Sequence, residues 1–284
     1  MRFPAFLLCL LALSLSACRS PAPQPGSQST ESLSLLEERL LETIDREARL
    51  EEEAAKPGAD RREIQRLFQR VAREYEGIIA RNPDNLESRL LYGKLLMRYG
   101  DGTGARNQFL IAARLEPNVA VIHQQLSTFY AEERDYTRAL AYALNAIEIE
   151  PGTAVYHFGL GQLLAAFRDE FITEQVFTGY KLDAEMLKSF RQACELEPDT
   201  LPFQFRYGEA FYDVDNPDWQ LALEHWEFLA AHPGLTQLQQ DAVRLHQARC
   251  LVGLGRTEEA QARINAVQSP ELKPSAAAIL EPTP

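Results

Sequence analysis

Positive charge, sulfur and long apolar runs are all scarce in this chain. Its 29 Lys and Arg face 41 Asp and Glu, and the arginines are scattered among glutamates instead of gathered in a stripe. A body this acidic is expected to repel nucleic acid and anionic lipid surfaces, which argues against nucleic acid as a partner. Only four cysteines occur, and Cys194 and Cys250 both lie in apolar helical stretches. They are expected as two buried, unpaired thiols rather than a disulfide. No Gly-x-Ser-x-Gly, His-Glu-x-x-His or activated-cysteine motif occurs, so catalysis has no visible home. Gly100-Asp101-Gly102-Thr103-Gly104 lacks the Lys-Ser/Thr ending of a phosphate loop and follows a helical pattern, so it reads as a turn.

Histidine is equally uninformative about metals. His123 and His157 make no His-x3-His pair and have no third ligand nearby, and His225, His232 and His246 have no ligand spacing. Asp213, Asp215 and Glu224 take three places of a calcium loop, but Pro217 and Asp218 stand where a ligand and a turn glycine are needed. No metal and no cofactor are expected.

What is present is a repeated sentence. Pro83, Pro117 and Pro151 follow one another at a constant interval. The first copy holds Tyr92-Gly93, Leu96, Ala105, Phe109, Ala112 and Leu115-Glu116-Pro117. The second holds Leu126-Ser127, Tyr130, Ala139, Ala143, Ala146 and Ile149-Glu150-Pro151. Small residues let two helices approach closely while the aromatics fill the space around them. Each proline disfavours helix in the residue before it, and Asp84 or Asn118 then stands ready to cap the next helix.

This pattern resembles the tetratricopeptide repeat, a helix-turn-helix unit that buries its apolar faces only by stacking. The resemblance implies an all-α, right-handed solenoid of about five helix pairs with extra N-terminal helices. The units are 83–117, 118–151, 152–198, 199–233 and 234–270. His123 and His157 take the same place in consecutive units, fourth in the first helix, where this family places a large packing residue. The third unit exceeds the period through an insertion at 166–185, which carries Phe167, Phe171, Phe177 and Tyr180. Those aromatics are expected to pack on their own repeat, the alternative being a loop that touches a partner. Residues 31–82 read as N-terminal helices capping the stack, and 271–284 as a disordered tail. Glu31 to Lys56 carries an apolar stripe of Leu33, Leu36, Leu40 and Ile44, read as packing against the repeats, with self-association the less favoured use.

The start of the chain is an address. Arg2 precedes a short apolar run, Phe3 to Leu15, and Leu15-Ser16-Ala17-Cys18 resembles the bacterial lipobox. That likeness implies cleavage after residue 17 and a lipidated Cys18 in the cell envelope, the alternative being an ordinary signal peptide cut at Ser16 or Ala17 that leaves Cys18 unmodified. Arg19 stands where aspartate would favour the inner membrane, so the resemblance points to the outer one. Residues 18–30, rich in Pro, Ser and Gln, read as a tether.

In the resembling family the first helices line a concave face that binds a protein or peptide. Carried over, the fifth helix positions are Leu90, Gln124, Phe158, Phe205 and Leu245. The ninth are Lys94, Thr128, Gln162, Glu209 and Arg249, and Tyr212 is a twelfth. The expectation is an apolar floor with polar edges. Leu90, Val155 and Gly159 replace the clamp residues of the chaperone-binding branch, which removes that ligand. The alternative reading is an enzyme or enzyme subunit with a site at 166–185 and the 212–219 loop.

Overall fold

A computed structural model describes residues 34–279, and among them every regular element is helical. The lipobox, Cys18 and the proposed tether lie outside the described residues. The chain divides into two compact units, Met1–Tyr156 and His157–Pro284, with the division falling inside one helix. The fold is the all-α solenoid of tetratricopeptide repeats.

In the first unit α1 (Leu35–Ala54) pairs with α2 (Arg61–Arg81), α3 (Leu86–Arg98) with α4 (Gly102–Leu115), and α5 (Ala120–Glu132) with α6 (Tyr136–Ile149). α7 (Ala154–Ala166) crosses the division. The second unit continues with α8 (Arg168–Thr173), α9 (Gly179–Leu196), α10 (Leu201–Ala210), α11 (Trp219–Ala230), α12 (Gln237–Gly253) and α13 (Thr257–Asn265). A 3-10 turn, Pro270–Leu272, and α14 (Lys273–Ala278) follow.

α1 is a full partner of α2. A capping box closes its start, with Ser34 and Glu37 each bonding the other's backbone N–H. Glu47 accepts from the Tyr75 hydroxyl at 2.7 Å, and Arg46 pairs with Glu74 at 2.6 Å. The N-terminal helices therefore make a sixth hairpin.

The turns repeat as faithfully as the helices. Asp101, Asp135 and Arg256 each donate their N–H to the carbonyl five residues back, at 2.8 Å. The residue before each is left-handed: Gly100 at φ +87°, Arg134 at +59° and Gly255 at +73°. This is the Schellman ending, which satisfies carbonyls that a helix end leaves open. Asp101 and Asp135 then cap α4 and α6, accepting from Gly104 and Arg138 N–H. At α3 the cap is Asn85, not Asp84, and α5 starts at Val119 without a side-chain cap, so Asn118 does not serve.

Where paired helices cross, size is traded between partners. A Cβ on Gly93 would lie 2.6 Å from the Phe109 ring, and one on Gly161 2.8 Å from Phe190. On Gly208 it would fall closer still to the Trp226 indole. In the second repeat the sizes are different. Ser127 takes the glycine's place, Ala143 takes the ring's, and the Ser127 hydroxyl donates to the Ala139 carbonyl at 2.8 Å.

The fourth position of the first helix has a role that packing alone does not describe. Arg89 Nε donates to the Pro83 carbonyl at 2.7 Å, His123 Nε2 to Pro117 at 2.7 Å, and Gln204 Nε2 to Pro198 at 2.9 Å. Each is a polar side chain reaching back six residues to a carbonyl at the end of the preceding hairpin. The expected bulky packing residue is thus a hydrogen-bond donor, and this is why His, Arg and Gln interchange there.

The insertion becomes structure. Phe167 and Phe171 are buried, and Phe177 meets Phe171 edge-on at 5.8 Å, while Tyr180 is exposed. The C-terminal stretch departs from the expected disordered tail as far as Ile279. Val267, Leu272, Ala276 and Ile279 pack over Leu245, because α12 presents an apolar face that no further repeat covers. Asp241 ties this segment down: buried completely, it accepts from Gln268 N–H, Ser269 N–H and Ser269 Oγ at 3.1, 2.8 and 2.7 Å.

Candidate functional site

The proposed concave residues fall into two sets, one in each unit. In the first, Leu90 and Lys94 are half-buried on α3. On α5 Gln124 is buried, and the half-buried Thr128 turns its hydroxyl back to the Gln124 carbonyl at 3.1 Å. Lys94 helps to hold the charge of Glu47, whose carboxyl burial raises while Tyr75, Arg98 and Lys94 act in the opposite sense. Lys94 thus also serves the charge balance between α1 and α3.

In the second unit the set splits. Phe158 is only 3 % exposed, stacked on Phe203 at 4.5 Å and edge-on to Phe190 at 5.6 Å. It belongs to the core between helix pairs and not to an accessible floor, because α10 arrives to cover it. Leu245 is likewise buried, under the C-terminal segment. Gln162, Phe205, Glu209 and Tyr212 remain half-buried, and Arg249 is exposed.

Phe205, Tyr212 and Arg249 are joined through residues that sequence reasoning passed over. The Phe205 ring meets Trp226 edge-on at 5.7 Å, and His246 stacks on Trp226 at 4.1 Å with planes 5° apart. The Tyr212 hydroxyl shares a hydrogen bond with His246 Nδ1 at 2.9 Å, and the Arg249 guanidinium lies 4.8 Å over the Tyr212 ring. Trp219 approaches Tyr212 at 5.9 Å and occupies space that a Cβ on Gly253 would claim, 2.7 Å away. His246 gives no sequence signal because its partners come from other helices, Tyr212 from well back in the chain.

The electrostatics of this patch follow from burial. Burial and the nearby Arg249 push the His246 imidazole down to about 4, so it is neutral at physiological pH. Burial pushes the Tyr212 hydroxyl well above its ordinary range and raises the Glu209 carboxyl, which Arg206 partly offsets. The Cys194 and Cys250 thiols are free and buried, pushed up chiefly by burial to about 12 and about 11, which leaves them protonated and unreactive. Beside the patch lies a cavity of about 240 Å³ lined by Ala242, Leu245, His246, Arg249, Leu272, Ser275 and Ile279. It offers an apolar wall with one exposed guanidinium at its edge.

The insertion and the 212–219 loop do meet, through Arg168. Its guanidinium grips both Asp183 oxygens, at 2.8 and 3.1 Å, and reaches Asp215 at 2.8 Å. Asp183 also accepts from the Asp215 N–H at 3.2 Å. Both carboxylates bind one cation, which makes a clamp between the two segments. Among the described residues no group of three or more His, Cys, Asp or Glu could hold a metal, and no helix is long and apolar enough to cross a membrane.

The geometry is that of stacked tetratricopeptide hairpins, and solved structures share it. No family model and no curated protein sequence matches the chain. The type IV pilus biogenesis factor PilW superposes with a TM-score of 0.56 at 11 % identity, over 86 % of this chain and 99 % of its own. YrrB, described as a TPR protein with an unusual peptide-binding site, gives 0.55 at 13 %, over 74 % and 93 %. PilF of Pseudomonas aeruginosa gives 0.51 at 13 %, over 82 % and 93 %. At such identities the likeness establishes the fold.

Proposed function

We propose that this chain is a lipid-anchored scaffold of the bacterial cell envelope that docks a protein or peptide partner on the first helices of its repeats. The observation that carries the reading is the patch of Phe205, Tyr212, His246 and Arg249, seated on the fully buried Trp226, with the adjoining cavity of about 240 Å³. Rigid aromatics with one cation at the edge suit an apolar peptide bearing a carboxylate, and such anchors dominate binding energy at interfaces. YrrB's description as peptide-binding and PilW's as a pilus biogenesis factor lend support to partner docking and to an envelope assembly role. Cys18 supplies the anchor, and Arg19 favours the outer membrane. No catalytic step belongs to this function.

In-cell cross-linking and co-purification of the full chain tests it, with Tyr212→Ala combined with Arg249→Glu as the variant. The partner recovered with the wild type is expected to be lost, with circular dichroism unchanged. Equal recovery would remove the patch from the interface. Radiolabelled palmitate should enter the wild type and not Cys18→Ala; label in both, or in neither, would remove the anchor.

A further inference from the structure

The helical repeat gathers what the linear order scatters. On α2, Arg62, Arg66, Arg70, Arg73 and Arg81 are all exposed. Their spacings of four, four, three and eight residues place them within an arc of about 100° on one side of the helix. The missing place in that row, between Arg73 and Arg81, is Gly77.

Gly77 has no internal reason to be glycine. A Cβ built there meets nothing within 4 Å, and its backbone is not left-handed. Glycine inside a helix weakens it relative to alanine. What its bareness leaves is the floor of a cleft of about 300 Å³ between α1 and α2, with Arg39, Arg46, Arg73 and Arg81 around it and the carboxylates of Glu42 and Glu74 in its wall.

The neighbouring carboxylates are already engaged. Glu74 and Glu42 hold Arg46 at 2.6 and 3.4 Å, Glu63 holds Arg66 at 2.6 Å, and Glu76 accepts from the Tyr92 hydroxyl at 2.7 Å. Arg39, Arg73 and Arg81 form no ion pair with a described residue, and the cleft's four guanidinium groups face only the two carboxylates of Glu42 and Glu74, an excess of two positive charges (4 − 2) around a bare floor. The remaining acids of α1, Glu38, Asp45 and Glu52, recur every seven residues on a different face. At physiological salt charges are screened beyond about 8 Å, so the acidic remainder of the chain does not cancel this field.

A guanidinium matches phosphate oxygens in geometry as well as charge. We propose that the α2 arginine row and its cleft dock on the phosphates of anionic lipid headgroups, an inference that rests on the Cys18 anchor. Sixteen residues, 19–34, lie between Cys18 and Leu35. That span cannot exceed about 60 Å, so the first hairpin is held within reach of the membrane surface. The row would lay the first hairpin against the bilayer and fix which of its faces meets the headgroups.

The test uses the chain from residue 18 onward with Cys18→Ser, so that no acyl chain contributes. It is sedimented with vesicles of phosphatidylcholine alone and of equal parts phosphatidylcholine and phosphatidylglycerol. Binding is expected to the anionic vesicles only. Arg73→Glu with Arg81→Glu should weaken it at least about tenfold, since each basic side chain near such a surface contributes roughly a fivefold factor. Arg191→Glu with Arg263→Glu, the same charge change in the second unit, should leave it within about twofold. Arg73→Gln with Arg81→Gln, milder substitutions at exposed sites, should fall between.

Equal binding to both vesicles, or indifference to the Arg73 and Arg81 changes, would overturn the proposal. So would displacement by inorganic phosphate at constant ionic strength, which would mark a site for free phosphate. Capture of a single-stranded oligonucleotide without vesicle binding would overturn it in favour of nucleic acid. Palmitate labelling reads the anchor independently: binding without label removes the anchor and keeps the row, and label without binding does the reverse.

Discussion

The first and second proline-bounded repeats fill the same crossing differently. In the first, Gly93 gives way to Phe109, a fully buried ring worth about 1.5–3 kcal/mol of transfer free energy. In the second, Ser127 and Ala143 share the space evenly, and the serine hydroxyl is satisfied by the Ala139 carbonyl. The comparison teaches that the crossing demands a bare glycine only where the facing residue is a large ring, and tolerates a hydroxyl where a backbone carbonyl is there to accept it. A glycine at this place therefore reports on its partner across the helix pair more than on its own backbone.

The largest effect should come from forcing one solution onto the other. Gly93→Ser alone drives a side chain into Phe109 and should cost about 2–4 kcal/mol in urea unfolding, while Phe109→Ala should cost about 3–5 kcal/mol. The double variant rebuilds the second repeat's arrangement, so its loss should fall below the sum by at least about 1 kcal/mol. Strict additivity would show that the two positions do not share one volume.

A pH effect distinguishes the second unit's patch from its counterpart in the first. His246 is held near 4 against an ordinary 6.5, so the unfolded chain binds the proton more readily than the folded one. Stability should accordingly fall as pH drops from about 6.5 to about 4 and level off below, by at most about 3 kcal/mol. His246→Gln should flatten that slope, and an unchanged slope would place the titration elsewhere.

The smallest effect lies in the turns. Gly100 and Arg134 hold equivalent left-handed positions. Gly100→Ala should cost about 1 kcal/mol in thermal or urea melts, the usual penalty for a Cβ there. No measurable loss would mean that this turn tolerates a side chain as readily as the turn at Arg134 does.

Much of the fold was legible because the repeat is local. Evenly spaced prolines, small residues facing aromatics and apolar helical spacing all act within one hairpin, where chain order and spatial order agree. The site was legible only in part. Phe205, Tyr212 and Arg249 could be placed by position, yet the tryptophan and histidine that bind them together were passed over, because their contacts cross from one helix to another. Phe158 has the same helix position as Phe205 and a different fate, because Phe203 stacks over Phe158 while Phe205 stays half-buried against the edge of Trp226.

By itself the sequence determined which residues pair within a hairpin, where each helix stops, and that hairpins must stack, since these follow from spacing and backbone chemistry. Tertiary structure alone decided which faces stay open. Leu245 disappeared beneath a segment that looked like a loose tail, while an arginine row emerged on α2 because its glutamates found partners around it. Exposure is a property of what arrives from elsewhere in the chain, and no residue carries that information alone.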